Sequence, residues 1–353
     1  VEHSECRAYL AALAVNSIDS VVTDPPYELN FMGRDWDRSG IANQVELWRA
    51  VYRVMKPGAH LLAFGGTRTS HRMVCAIEDA GFEIRDSLHW MYGSGFNKNR
   101  NCLKPAHEPI CLARKPLAKT VAATIAAYGT GGINVEACRV GSDSTIRKSN
   151  AGTNGAGWGM GKQEHINGST DGRWPPNVLL THSADCVPIG ARRVRVKANG
   201  GAHKATGIIP IDNPNPKGYA DADGTETIAA YACAPDCPVA ALDGHRSASR
   251  FYPILNYDPQ YDNPALYCAK ASRHERGAGN HHPTVKPVAL CRWLVRLVCP
   301  PGGTVLDSFA GSGSVGVACV LEGFNYLGCD QDAEYVEIAN RRIMATQPAL
   351  IGV

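Results

Sequence analysis

The 353-residue sequence has no run of 18 or more uncharged apolar residues, which excludes an ordinary membrane-spanning helix. Its start, Val1-Glu2-His3-Ser4-Glu5-Cys6, has no apolar signal core, so the expectation is a chain that is not secreted. Net charge is scarce. Thirty-six Lys and Arg against 33 Asp and Glu leave +3, too little to argue for nucleic acid from bulk charge. No internal repeat is visible, and the 13 Cys are scattered rather than clustered in a small domain. That excludes a disulfide scaffold and leaves buried free thiols or metal ligands in a reducing compartment. What is present is ordinary for a globular protein: 44% hydrophobic and 20% charged residues, enough to bury a real core in one large domain or two modest ones.

The first third alternates between strand and helix patterns. Asp19-Ser20-Val21-Val22-Thr23 is a short apolar strand that ends abruptly at Asp24-Pro25-Pro26-Tyr27. Val45, Trp48, Val51, Tyr52 and Met55 recur at helical spacing, and Lys56-Pro57-Gly58 predicts the stop. A strand over 60–64 closed by Gly65-Gly66, a helix over 70–80 capped by Gly81, a strand over 82–91 and an apolar run over 107–113 follow. From about 118 to 280 the rhythm breaks, with Gly, Asn, Ser and Pro frequent, as in the loop 151–161 around Trp158. After 281 it resumes: helix 288–298, strand 304–306, a helix capped by Gly323, strand 326–329 and helix 333–345. The alternation predicts an α/β fold with a mostly parallel sheet covered by helices on both faces. The chain then divides into 1–117, an inserted region 118–280, and 281–353.

The strand at 304–306 runs through Asp307-Ser308-Phe309-Ala310-Gly311-Ser312-Gly313 into a helix. Such glycines let a ligand approach the backbone and meet helix N-terminal N–H groups. Asp330 closes the next strand, at the spacing that places an acid on a nucleoside ribose. No dinucleotide fingerprint is present: Gly311, Gly313 and Gly316 follow a Phe, and no pyrophosphate needs accommodating. Read without its neighbours, the turn is also compatible with plain strand–helix packing.

Asp24-Pro25-Pro26-Tyr27 stands at a strand's carboxyl end, where ligands collect on open α/β sheets. Two prolines fix φ and remove two donors, so the backbone there offers acceptors. A carboxylate, a bare Pro25 carbonyl and an aromatic ring suit a planar heterocycle carrying an exocyclic amine. An ionised Asp accepts and cannot donate, which selects an amine over a carbonyl oxygen. The competing reading of the bare tetrapeptide is a rigid turn with a packed Tyr.

Taken in order, Asp24-Pro25-Pro26-Tyr27, His282-Pro283-Thr284-Val285-Lys286-Pro287 and Asp307-Ser308-Phe309-Ala310-Gly311-Ser312-Gly313 resemble the β group of amino-directed DNA methyltransferases. The likeness covers about 1–115 and 281–345. It implies a Rossmann-like, circularly permuted, seven-stranded sheet with the inserted region reading DNA. It also implies S-adenosylmethionine as cofactor, with contacts on Glu5, Asp24, Thr284, Lys286, Asp307, Phe309, Gly311, Gly313 and Asp330. Asp24, Pro25, Pro26 and Tyr27 would hold a base flipped out of double-stranded DNA. An Asp at position 24 points to the N6 of adenine, and N4 of cytosine is the alternative. Two departures stand out. Ser4-Glu5-Cys6 replaces the family's usual Gly-Asp-Cys, and Asp330 replaces a common Glu. The resemblance further implies a prokaryotic or phage-encoded cytoplasmic enzyme, with a homodimer plausible; a partner restriction endonuclease leaves no mark on these residues.

Within the insert, His182-x3-Cys186 and Cys233-x3-Cys237 supply one imidazole and three thiols, the donor set of a tetrahedral structural zinc site. Unligated loop thiols are the alternative reading. Between the pairs, strand alternation puts Arg193, Arg195 and Lys197 on one face, and no acid occurs from 186 to 211. This is a candidate phosphate-contacting strip, with Lys98 and Arg100 as a second; a solvated strand face is the competing reading. Two other functions are compatible in part. Protein-glutamine and RNA methyltransferases use a related tetrapeptide but usually begin it with Asn and place the glycine loop before it. A catalytically silent DNA-binding protein on the same fold would not need an intact Asp24 and Gly311/Gly313.

Overall fold

The computed structural model describes residues 1–29, 35–92, 103, 105–140, 147–149, 165–167, 173–183, 185–195, 225–235, 237–244, 247–255 and 285–346. In chain order the elements are β1 (Glu2–His3), α1 (Cys6–Ala12), β2 (Ile18–Thr23), α2 (Val45–Val54), β3 (Met55–Phe64), α3 (Ser70–Asp79), β4 (Glu83–Met91), β5 (His107–Arg114) and α4 (Val121–Tyr128). There follow β6 (Arg147–Ser149), β7 (His165–Asn167), β8 (Val178–Leu180), β9 (Val187–Arg195), β10 (Thr225–Ala232) and α5 (Pro238–Asp243). The chain closes with α6 (Val288–Val298), β11 (Thr304–Asp307), α7 (Ser314–Glu322), β12 (Asn325–Asp330) and α8 (Ala333–Ala345). No helix among the described residues is long and apolar enough to cross a membrane.

Among the described residues, eight strands form the main sheet in the order β1-β12-β11-β2-β3-β5-β4-β8. All neighbours are parallel except at β5, which runs antiparallel to both β3 and β4. The expectation was seven strands. The eighth is β8, a three-residue piece of the region read as an insert, which pairs with β4 through His89 opposite Val178. Three residues are too few to show a period-2 pattern, so no sequence signal announces it.

Central strands are buried on both faces, which is why β2, with Ile18, Val21 and Val22, shows no apolar/polar alternation. All six of its residues are buried. Its one charged residue, Asp19, is paired with Lys56 Nζ at 2.6 Å and accepts the Thr304 N–H at 2.9 Å. One face of the sheet is covered by α6 and α7, with Leu290, Leu294, Val295 and Val315 against Val22, Leu62 and Trp90. The other is covered by α1, α2 and α3, with Leu10, Trp48, Val51 and Ile77 against Val21 and Leu61. In α2 the buried residues Leu47, Trp48, Val51 and Val54 fall on one helical face, which fixes its orientation.

Two local expectations shift. The strand after α2 starts at Met55 instead of 60 and runs straight through Lys56-Pro57-Gly58. The Gly58 N–H is still satisfied there, donating to the Lys115 carbonyl at 3.0 Å. α4 lies where periodicity was hard to find. Thr120 caps it, accepting from the Ala123 N–H at 3.2 Å, and buried Thr124 seats it beside Gly58.

Candidate active site

β2 and β11 are parallel neighbours, with Ser20 opposite Val305 and Val21 opposite Leu306, so their carboxyl ends emerge side by side. The tetrapeptide continues one strand and the glycine turn continues the other. A buried hydrogen bond ties the two exits together: Thr23 Oγ1 donates to Asp307 Oδ1 at 2.8 Å. Two segments almost 300 residues apart in sequence, at |i−j| of 284, thus share one cleft.

On the tetrapeptide side, Lys286 Nζ lies 2.6 Å from Asp24 Oδ2 and 3.4 Å from Glu108 Oε2. Glu108, on β5, accepts from Tyr27 OH at 2.8 Å and Tyr92 OH at 3.4 Å. The ammonium also stands 5.3 Å from the Tyr27 ring centroid and 5.0 Å from that of Phe64, within cation–π reach. Thr69 Oγ1 donates to the Tyr27 carbonyl at 2.6 Å, and a pocket beside the tetrapeptide is lined by Pro26, Tyr27, Gly65, Gly66, Thr69 and Met73. The second oxygen of Asp24, Oδ1, is buried with no hydrogen-bond partner among the described residues.

The electrostatics follow from this packing. Burial pushes the Asp24 carboxyl up, while the Lys286 ammonium pulls it back toward the charged form. Burial works against the Lys286 charge, yet Asp24 and Glu108 together outweigh it and hold the ammonium above the ordinary lysine range. Tyr27 is raised by burial and by the two carboxylates, so its phenol stays protonated and donates.

On the glycine side, Gly311 and Gly313 adopt φ of +49° and +80°, a region that favours glycine. At Gly313 a Cβ would come within 2.9 Å of the Ala339 Cβ on α8. The Gly311 N–H donates to Asp330 Oδ2 at 2.8 Å, and the Asp332 N–H to Oδ1 at 2.9 Å. Asp307 is buried, and burial pushes its carboxyl up to about 7, against the Thr23 hydroxyl and Phe309 N–H that hold it down. The nearby charges of Asp24 and Asp330 add to the rise. Phe309 is half-buried, against the helix layer of α1 to α3. Carboxylates converging around a glycine turn suit a ligand that is cationic at one atom and carries a diol, as a sulfonium nucleoside does. The donor set fits that group.

The other predicted residues distribute as follows. Glu5 caps α1: Oε2 accepts from the Arg7 and Ala8 N–H groups at 3.0 and 3.1 Å, and Oε1 from Arg7 Nε at 3.0 Å. Its carboxylate is therefore engaged with the helix start, although β1 pairing with β12 sets His3 opposite Asp330 and keeps Glu5 near the glycine side. Lys286, expected with the cofactor residues, makes its described contacts with Asp24 and Glu108. Thr284, Lys98, Arg100 and Lys197 lie outside the described residues, and Arg195 is described by its backbone alone. Arg193 is exposed on β9, which pairs antiparallel with β10 as a two-stranded ribbon. His182, Cys186, Cys233 and Cys237 do come together, with ligand atoms all within 4.8 Å of one another. Glu108 was missed. Its only mark in the sequence is a lone acid inside the apolar run His107–Arg114.

Comparison with known proteins matches residues 18–341 to a family model described as DNA methylase, covering N6 and N4 methyltransferases. Among curated proteins, the type II methyltransferase M2.MboI of Moraxella bovis is 38% identical over 69 residues, 20% of this chain and 25% of that protein. The DNA adenine methyltransferase YhdJ of Escherichia coli (strain K12) is 36% identical over 63 residues, 18% of this chain and 21% of that one. The matches thus span only about a quarter of those relatives' lengths. Among solved structures, the complex of M1.HpyAVI with SAM overlaps at a TM-score of 0.44 with 15% identity, covering 97% of each chain. PvuII DNA methyltransferase (cytosine-N4-specific) overlaps at 0.45 with 13% identity, covering 99% of this chain and 94% of that one.

Proposed function

We propose that this chain, which belongs to the DNA methylase family whose model spans most of it, methylates the exocyclic N6 of adenine in double-stranded DNA. S-adenosylmethionine is the methyl donor, and the observation that carries the reading is the junction of two strand exits at the Thr23–Asp307 hydrogen bond. Residues 1–117 supply the base side of the site, 281–353 the donor side, and 118–280 the target recognition.

When bound, the donor would supply a methyl activated on a sulfonium: a C–N bond would form as the S–CH3 bond breaks, S-adenosylhomocysteine would leave and the amine's extra proton would pass to solvent, with no covalent enzyme intermediate. That nitrogen is a weak nucleophile, because its lone pair is delocalised into the ring. Asp24 and the Pro25 carbonyl accept its two N–H bonds, draw it toward tetrahedral geometry and stabilise the charge that develops. The unpartnered Asp24 Oδ1 is an acceptor already in place for this. Lys286 keeps Asp24 ionised in a setting whose burial favours the neutral acid, and so keeps it an acceptor. Tyr27, held by Glu108 and Thr69, offers a ring for the flipped base, whose extrusion costs about a few kcal/mol of stacking. On the donor side, Asp330 binds the ribose hydroxyls and the Gly311–Gly313 turn lets the nucleoside lie against backbone. Asp307 and Phe309 complete that wall.

The test is transfer of tritiated methyl from S-adenosylmethionine to duplex DNA, followed by nucleoside analysis by mass spectrometry. The expected product is N6-methyldeoxyadenosine. N4-methyldeoxycytidine would move the target to cytosine while keeping the chemistry, and no labelled nucleoside with the donor bound would reject catalysis.

A further inference from the structure

Four side chains that the cleft does not use meet at a second point in the fold. His182 follows β8, Cys186 immediately precedes β9, Cys233 immediately follows β10, and Cys237 is the residue before α5. They come from two short loops, 182–186 and 233–237, with His182 and Cys233 51 residues apart, yet their ligand atoms lie within 4.8 Å of one another. His182 Nδ1 is 3.3 Å from Cys237 Sγ and 3.5 Å from Cys233 Sγ. A tetrahedral Zn²⁺ with Zn–S of about 2.3 Å and Zn–N of about 2.0 Å sets S···N separations of about 3.5 Å and S···S separations of about 3.8 Å. The two S···N separations fall at that value within about 0.2 Å, and all four ligand atoms lie within 4.8 Å of one another. The His182 ring stacks on Tyr231 with centroids 3.9 Å apart, which fixes its plane, and the Ala234 N–H donates to Cys186 Sγ at 3.3 Å. Outer contacts of this kind orient metal ligands.

Packing alone does not account for the cluster. Cys111, Cys138, Cys291, Cys319 and Cys329 behave as small hydrophobes inside the two large layers of the sheet. Cys237 lies in a small satellite with Leu180 and Val239 as its other buried members, Cys186 and Cys233 pack half-buried against it, and all three are free thiols. Three thiols and an imidazole converge there, beside a buried apolar nucleus of only Leu180, Cys237 and Val239 among the described residues.

We propose that His182, Cys186, Cys233 and Cys237 bind one structural Zn²⁺ that pins the β9–β10 ribbon to the β8 edge of the sheet. Four protein ligands close the coordination sphere and leave no position for a substrate, which makes the ion structural. Both feet of the ribbon, Cys186 and Cys233, are then tied to the end of β8 through His182. A two-stranded ribbon is marginal by itself, and the ion fixes where this one stands. The metal site rests on geometry alone, while its consequence for DNA rests on the function proposed above, and the two are read separately.

The experiment uses the full chain, produced with zinc in the medium, dialysed, and analysed for metal by mass spectrometry. About one zinc per chain is expected, falling below about a tenth in Cys233→Ser and Cys237→Ser. Cobalt substitution of the wild-type chain keeps the proposal testable should those variants fail to fold: tetrahedral ligand-field bands with thiolate-to-cobalt charge transfer are expected. Less than about a tenth of an equivalent in the zinc-exposed wild type, or a cobalt spectrum without thiolate charge transfer, overturns the site. Chelation of the zinc should then weaken duplex binding about tenfold or more and change donor affinity less than about twofold. Unchanged duplex binding after zinc removal overturns the pinning role.

Discussion

The central sheet and the β9–β10 ribbon are built on opposite principles. Around β2 and β3 the chain is held by apolar burial: Val21, Val22, Leu61, Leu62 and Phe64 have no exposed surface, and each such side chain contributes about 1.5–3 kcal/mol. On β9, Val187 and Ile189 are 58% and 65% exposed. What holds that region is polar and discrete. Glu226 on β10 is buried between Arg173 at 2.9 Å and Arg250 at 3.0 Å, and the Cys/His cluster stands at the ribbon's feet. A cleft assembled by many small contacts tolerates the loss of any one of them. A ribbon placed by a few strong contacts does not. One side-chain change should therefore dislodge the ribbon and spare the cleft, whereas silencing the cleft requires touching its own polar atoms.

The largest effect expected is at Asp24. Asp24→Ala should lower methyl transfer by about 10³-fold while calorimetry finds donor affinity within about twofold of wild type. Equal loss of both would erase the division between the two strand exits. Next is Glu226→Ala, which leaves two guanidinium groups buried without their carboxylate. It should cost about 3–5 kcal/mol locally, seen as rapid proteolytic cleavage near the ribbon with donor binding retained. Loss of donor binding would mean that cleft and ribbon are one cooperative unit.

Two pH experiments sharpen the cleft side. Lys286→Gln removes the cation that opposes the rise of the Asp24 carboxyl, so the acid limb of the kcat profile should move to higher pH. A uniform drop at every pH would contradict that role. Asp307 is held at about 7 against an ordinary 3.8. The folded chain therefore keeps a proton that the unfolded chain releases, and stability falls as pH rises between those values, then levels off. Asp307→Asn should raise the thermal midpoint at pH 8 by about a few degrees, with little gain at pH 4. The smallest effect is at Arg193 on the ribbon. Arg193→Ala should weaken duplex binding a few-fold and reduce the logarithmic salt slope by about 0.9.

The same contrast explains what was legible beforehand. Helices α2, α6 and α8 carry a 3.6-residue period because each has one buried face, and the structure places them within a residue of the expected ranges. The tetrapeptide and the glycine turn are legible because their backbones are unusual, two prolines in one and positive φ in the other. Glu108 was not, since its meaning depends on β3 pairing with β5, Phe64 opposite Ile110, and on Lys286 arriving from 178 residues away, a separation visible only as the difference of their numbers. The capping role of Glu5 was hidden for a different reason: α1 is only seven residues long, too short to display a period. In the ribbon, the spacing of His182 with Cys186 and of Cys233 with Cys237 marked the pairs, while their convergence required the register of β9 against β10.

The most direct test is a crystal structure of the full chain with duplex DNA and a non-reactive analogue of S-adenosylmethionine. An adenine should lie outside the stack over Tyr27, its amino nitrogen accepted by Asp24 and about 3–3.5 Å from the methyl-bearing position of an analogue seated on the Gly311–Gly313 turn. An analogue bound away from that turn, or a base held far from Asp24, would contradict the account.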